Sequence, residues 1–132
     1  MTETDSQPVT TPDGIPGFEK TREWRIERSG PDAVFYVLRS VEQPDIGLFL
    51  TEPWGLAPGY EPDLPDHDLA RIGVHDPGDL ELYVVATIAE DRRSVYLNLA
   101  APLVVNSTER IARQVILDRQ GWPLRHAVGV RG

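Results

Sequence analysis

The residues that could do chemistry are few, and their spacing argues against most of it. The chain has three histidines and no cysteine. His67 lies in Pro65-Asp-His-Asp68, and His75 precedes Asp76. Imidazole beside carboxylate suits several metals. This spacing matches no ligand motif, so no metal site is expected. Without cysteine, disulfides, zinc-thiolate sites and thiol catalysis are excluded. Paired-carboxylate hydrolysis needs two acids in a pocket that separates their pKa values. The acids here are many, sit mostly in turns, and are flanked by Pro and Gly. No Gly-x-Ser-x-Gly elbow and no glycine-rich phosphate loop occurs. Ser40, Ser94 and Ser107 stand at strand ends or turns, where Ser is routine. The expectation is a protein that is not an enzyme and takes no cofactor.

Binding is the better use of these residues. The formal net charge is −8. Such a surface repels phosphate, which argues against direct nucleic-acid contact; it either attracts a basic partner or serves solubility alone. Ten acidic residues and one Arg lie between Glu52 and Asp91, while five Arg and one Asp lie between Arg110 and Arg131. Trp54 and Tyr60 fall inside the acidic, proline-rich stretch. They serve either as exposed interface anchors or as a cover folded over one end of the core. Trp122 carries the same ambiguity. The acids of this stretch read as a solvated or partner-facing surface.

The elements that position these groups read as short strands. A chain of 132 residues supports one domain with one core. Residues 1–13 lack apolar periodicity and are expected to form a flexible arm, with a single domain over 14–132. They also lack the basic start and apolar run of a signal peptide. No window approaches the roughly 20 apolar residues of a membrane span. Alternation predicts strands at Glu23–Arg28, Ala33–Leu38, Ile46–Leu50 and Leu80–Ile88. Both faces of the last are apolar, which marks a central strand. Val95–Leu99, Leu103–Val105 and Ile111–Leu117 complete the set, with a helix the alternative over Thr108–Gln114. Asp66–Ile72 reads as one short helix capped by Asp66 and stopped by Gly73. Pro102 cannot donate to a ladder and belongs at a bulge, an edge or a strand start. The fold class is therefore all-β. We expect a small antiparallel β-barrel of about eight short strands with at most one short helix.

Several motifs fall in a recognisable order. They are Gly14-Ile-Pro-Gly-Phe-Glu19, Asn98-Leu-Ala-Ala-Pro-Leu-Val-Val-Asn106, Gln114-Val-Ile-Leu-Asp118 and Trp122-Pro-Leu-Arg-His126. Together with the stretch from Leu48 to Ile88, they resemble the FliW family of flagellar assembly factors over residues 14–126. Gly14, Pro16, Gly17, Phe18, Asn98, Pro102, Asn106, Gln114, Arg125 and His126 carry the resemblance and read as structural, with Arg125 and His126 either closing the barrel or touching a partner. Asn at a strand end, for example, ordinarily satisfies local backbone groups.

The resemblance implies a compact all-β barrel. It implies two partners, flagellin and the RNA-binding translational repressor CsrA, and a place in the cytoplasm. Family members relieve CsrA repression, flagellin competes for them, and the antagonism is thought to be allosteric. Glu61, Asp63, Asp66 and Asp68 are then expected on the CsrA-facing side. Flagellin is expected either along an open sheet edge or in a groove beside Trp54 or Trp122. No nucleic acid or membrane is expected as a partner, and a monomer is the default. Two departures motivate an alternative, a flagellin-binding chaperone or adaptor without CsrA control. The first strand of the family is shortened here, and Arg110-Ile-Ala-Arg113 replaces a Lys-Gly-type turn.

Overall fold

The computed structural model describes residues 8–28 and 35–129. Among these residues, nine strands form one sheet: β1 (Val9–Thr10), β2 (Glu23–Arg28), β3 (Phe35–Ser40), β4 (Gly47–Thr51), β5 (Leu80–Ile88), β6 (Ser94–Leu97), β7 (Leu103–Asn106), β8 (Ile111–Gln114) and β9 (His126–Gly129). Among the described residues, one helix, α1 (Asp66–Arg71), interrupts the β-structure together with the short 3-10 turns Pro53–Gly55 and Pro77–Asp79. The expected start at Ala33 lies outside the described residues.

Seven strands close into a ring in the order β1-β2-β3-β4-β5-β7-β8. Every pairing is antiparallel except the closure itself, where Thr10 of β1 stands parallel to Ile111 of β8. The expected antiparallel architecture thus holds in every other pairing. Residues 9–11, expected in a flexible arm, are not loose. Val9 and Thr11 are buried, and Val9 pairs with Trp24. The first strand is short, but two residues suffice to join β2 to β8 and cover both edges.

Alternation explains which faces are filled. Val9, Trp24, Ile26, Leu38, Leu50, Tyr83, Leu103, Val105 and Ala112 come from all seven ring strands and pack into one cluster, the ring's interior. Leu82, Val84, Ala86 and Val104 point the other way from β5 and β7 into a second cluster. The chain between residues 56 and 74 covers that outer face with Tyr60, Ile72 and Val74, and the tail adds Val115 and Leu117. β5 is thus buried on both sides, as its doubly apolar sequence requires.

β6 and β7 run along the same edge of β5. Between Ala86↔Leu97 and Tyr83↔Leu103, two residues of β5 face the five residues 98–102. The extra residues form a bulge, and most of its carbonyls have partners. The carbonyls of Ala100 and Pro102 accept from Leu117 and Val115, and the Ala101 carbonyl accepts from Gln114 Nε2 at 3.1 Å. Asn98 N–H donates to Val85, and Asn98 Oδ1 accepts from Ala100 N–H at 3.1 Å. Pro102, with no N–H to place, ends the bulge just before β7. This accounting also explains why β8 stops at Gln114 and not at Leu117: Val115 and Leu117 turn their N–H groups to the bulge. β9 pairs with β6 and was not foreseen, because His126-Ala-Val-Gly129 has too little apolar alternation to read as a strand.

α1 starts at Asp66 as expected and ends at Arg71, one residue short of Ile72, with Gly73 closing it. Gly73 takes φ 74°, donating to Ala70, while Val74 donates to Leu69. These two bonds are a Schellman closure. Asp66 is not the cap. Pro65 holds the extended cap conformation, its carbonyl accepts from Asp68 and Leu69, and no side chain caps the helix.

Candidate functional site

The acidic stretch from Glu52 to Asp68 forms the candidate binding surface, and the fold divides its residues sharply. Trp54 sits on the Pro53–Gly55 turn with 46% of its surface exposed. Its indole Nε1 donates to the Tyr60 carbonyl at 3.1 Å, so the ring is held in place while open to solvent. Tyr60 is not an exposed anchor. It is buried, its hydroxyl donates to the Leu99 carbonyl at 2.7 Å, and Trp122 meets its ring edge-on at 4.7 Å. Burial pushes its phenol pKa up to about 12. Tyr60 therefore covers one end of the core, with Trp122 half-buried against it, while Trp54 stays exposed.

Around Trp54 lies a groove of about 370 Å³ lined by Pro62, Leu64, Leu80 and Leu82, with Glu52, Glu61 and Glu81 among its walls. Glu81 Oε1 accepts from the Tyr83 hydroxyl at 3.2 Å. Burial raises the Tyr83 phenol first, and the charges of Glu81 and Glu52 raise it further.

Of the four expected partner-facing carboxylates, Glu61, Asp63 and Asp66 are exposed. The Asp63 backbone is clamped by Gln120, which accepts from its N–H at 2.9 Å and donates to its carbonyl at 2.7 Å. Asp68 is the correction. Its side chain is 7% exposed, and its Oδ1 accepts from Arg113 Nε at 2.6 Å. Arg113 Nη1 reaches Asp13 Oδ2 at 2.6 Å, and Arg71 Nη2 reaches Asp13 Oδ1 at 2.7 Å. His67 Nε2 lies 3.3 Å from Asp68 Oδ2. The alternating chain Arg71–Asp13–Arg113–Asp68 thus ties the start of the described structure to α1 and β8. Asp13 stays ionised below the ordinary carboxylate range, chiefly through its hydrogen bond with Arg71. Asp68 faces inward because α1 turns it toward β8, and a charge there must be paired. Sequence reasoning missed this network, since Asp13 and Arg113 are 100 positions apart.

The motif residues take structural places. Gly14 has φ 76°, and a Cβ there would meet Arg22 Nη1 at 2.8 Å. Pro16 and Gly17 form the exposed turn, with Gly17 N–H donating to Glu19 at 3.0 Å, and Phe18 packs edge-on against Trp24. Asn106 is buried; its Nδ2 donates to the Ile72 carbonyl at 2.8 Å, and its Oδ1 accepts from Thr108 and Glu109 N–H. It fastens the end of β7 to the end of α1. Arg125 lies 4.3 Å from the Tyr96 ring centroid, and His126 opens β9 opposite Leu97. At the altered turn, Arg110 adopts φ 57°, a conformation glycine takes freely. The turn therefore keeps a left-handed residue without a glycine.

Among the described residues, no group of three or more His, Asp or Glu could hold a metal ion. No helix among them is long and apolar enough to cross a membrane.

Comparison with known proteins places the chain. A family model described as FliW protein matches residues 1–128. The flagellar assembly factor FliW of Caldicellulosiruptor saccharolyticus is 33% identical over 114 residues, covering 86% of this chain and 74% of the relative. That of Geobacillus sp. strain WCH70 is 35% identical over 113 residues, covering 86% of this chain and 78% of the relative. A crystal structure of the flagellar assembly factor FliW superposes with a TM-score of 0.84 at 34% identity, covering 96% of this chain and 86% of the other.

Proposed function

The chain belongs to the FliW family of flagellar assembly factors, and from that membership we propose that it binds flagellin and antagonises CsrA in the cytoplasm. It works by binding and not by catalysis. When flagellin is scarce, the protein holds CsrA and flagellin translation proceeds. When flagellin accumulates, it occupies the protein and releases CsrA to repress.

The observation that carries this reading is the charge of the exposed 52–66 surface. Glu52, Glu61, Asp63 and Asp66 are exposed there and make no ion pair among the described residues. Arg71 of α1 and Arg113 of β8 are engaged with Asp13 and Asp68. A protein that grips RNA must carry basic surface, and an acidic face attracts it and speeds encounter. Glu61, Asp63 and Asp66 are the proposed CsrA-facing groups. Asp68 is withdrawn from that role.

The test is capture of purified CsrA and purified flagellin by the immobilised chain at two salt concentrations. Glu61→Lys with Asp63→Lys should weaken CsrA binding and flatten its salt dependence; unchanged binding would sink the charge argument. Capture of flagellin without CsrA would establish the chaperone or adaptor reading instead.

A further inference from the structure

We propose that the groove beside Trp54 is the docking site for a polypeptide segment of the protein partner in which Lys or Arg alternates with aliphatic residues. This deepens the function proposed above and rests on it. Three properties of the groove point to that occupant. Its anchor is pre-positioned: Trp54 is 46% exposed, yet its indole is pinned to the Tyr60 carbonyl, and Tyr60 is in turn fixed by Leu99 and Trp122. A ring already held loses little freedom on binding, and a large exposed aromatic is what interface centres use.

The floor is apolar, from Leu64, Leu80 and Leu82, while the charged groups of the walls are Glu52, Glu61 and Glu81. Among the described residues, no Lys, Arg or His lines it. A Lys or Arg can therefore lay its aliphatic stem on the floor and its charge against carboxylate or the Trp54 face. A nucleic-acid strand would meet three carboxylates with phosphate and is repelled. A small cation would satisfy Trp54 but leave the separated carboxylates and the apolar floor unused. An alternating basic and aliphatic segment uses all three.

The experiment is a titration of the isotope-labelled full chain, followed by amide and indole NMR signals. The probe is a blocked hexapeptide, Leu-Lys-Leu-Arg-Leu-Lys, compared with its Glu-for-cation counterpart. The expected result is a saturable shift of the Trp54 indole N–H and of amides near Glu52, Glu61 and Glu81, weakened by salt. Trp54→Ala should lower the affinity about tenfold or more. The pair Glu52→Gln and Glu61→Gln, which leaves the indole untouched, should lower it as well. A well-dispersed spectrum of each variant shows that it remains folded. No shift at millimolar peptide overturns the proposal. So does equal binding of the acidic peptide, or binding that ignores both sets of substitutions.

The two readings fail separately. Full capture of flagellin and CsrA by Trp54→Ala refutes the groove and leaves the function standing. Absence of both partners from the unaltered chain, with the basic peptide still bound at Trp54, refutes the function and leaves the groove.

Discussion

Asp68→Asn is the sharpest test of how this fold spends its carboxylates. The substitution keeps the side chain's shape and removes its charge. It leaves the Arg113 guanidinium, 24% exposed, facing a neutral amide where a carboxylate stood at 2.6 Å. Removing one member of a buried pair costs about 3–5 kcal/mol, and an exposed pair contributes about 0–1 kcal/mol. Arg113 keeps Asp13 as a second partner at 2.6 Å, which holds the loss below the buried figure. Asp68 itself is 7% exposed, which holds the loss above the surface figure. The expected loss is about 2 kcal/mol, a large share of the stability of a small domain. It corresponds to a Tm lower by roughly 8 °C for a chain of this size.

Urea denaturation of Asp68→Asn, with Glu61→Gln as an exposed control, measures this loss. Arg113→Gln and the double variant complete a cycle. The cycle should show coupling of about 1 kcal/mol or more. A midpoint for Asp68→Asn no lower than for Glu61→Gln would refute the reasoning. If CsrA binding then fell as well, Asp68 would return to the contact surface.

Three further outcomes are expected. Tyr60→Phe strands the buried Leu99 carbonyl and should cost about 1–2 kcal/mol in denaturant. The folded phenol titrates near 12, above its unfolded value of about 10, so its contribution is present below pH ~10 and lost as pH rises toward 12. Stability followed through alkaline pH should fall more steeply for the unaltered chain than for Tyr60→Phe. Asn106→Asp replaces the donor to Ile72 with an acceptor in a buried position, and calorimetry should show about 3 kcal/mol or more of lost stability. Asp13 is ionised below the usual range in the folded state, so its contribution is present above pH ~4 and is lost as pH falls through the folded value. Asp13→Asn should flatten the acid limb of a stability–pH curve, and an unchanged limb would show that the Arg71–Asp13–Arg113 chain contributes nothing to acid stability.

Much of the fold was legible because strand formation is written locally. Trp24 and Ile26 alternate with polar residues, and both faces of Leu80–Ile88 are apolar. Those patterns fixed the strand's existence and its depth before any partner was known. Gly73 marked the end of α1 for an equally local reason, a left-handed residue closing the last turn. Pro102 marked the bulge because it has no donor to offer. β1 and β9 were missed because two or four residues with little alternation become strands only when a neighbour offers them an edge.

The candidate site divides along the same line. Sequence alone determined that the chain carries a net charge of −8, concentrates acids after Glu52 and has no cysteine for thiol chemistry. The tertiary structure decided which of those residues face outward. Asp66 and Asp68 stand two positions apart, yet one is exposed and the other is buried against Arg113, 45 positions away. Trp54 and Tyr60 share one loop, yet one lies open and the other is capped by Trp122. Composition and alternation act between neighbours in the chain. Exposure depends on which distant segment passes over a side chain, and only the closed ring brings those segments together.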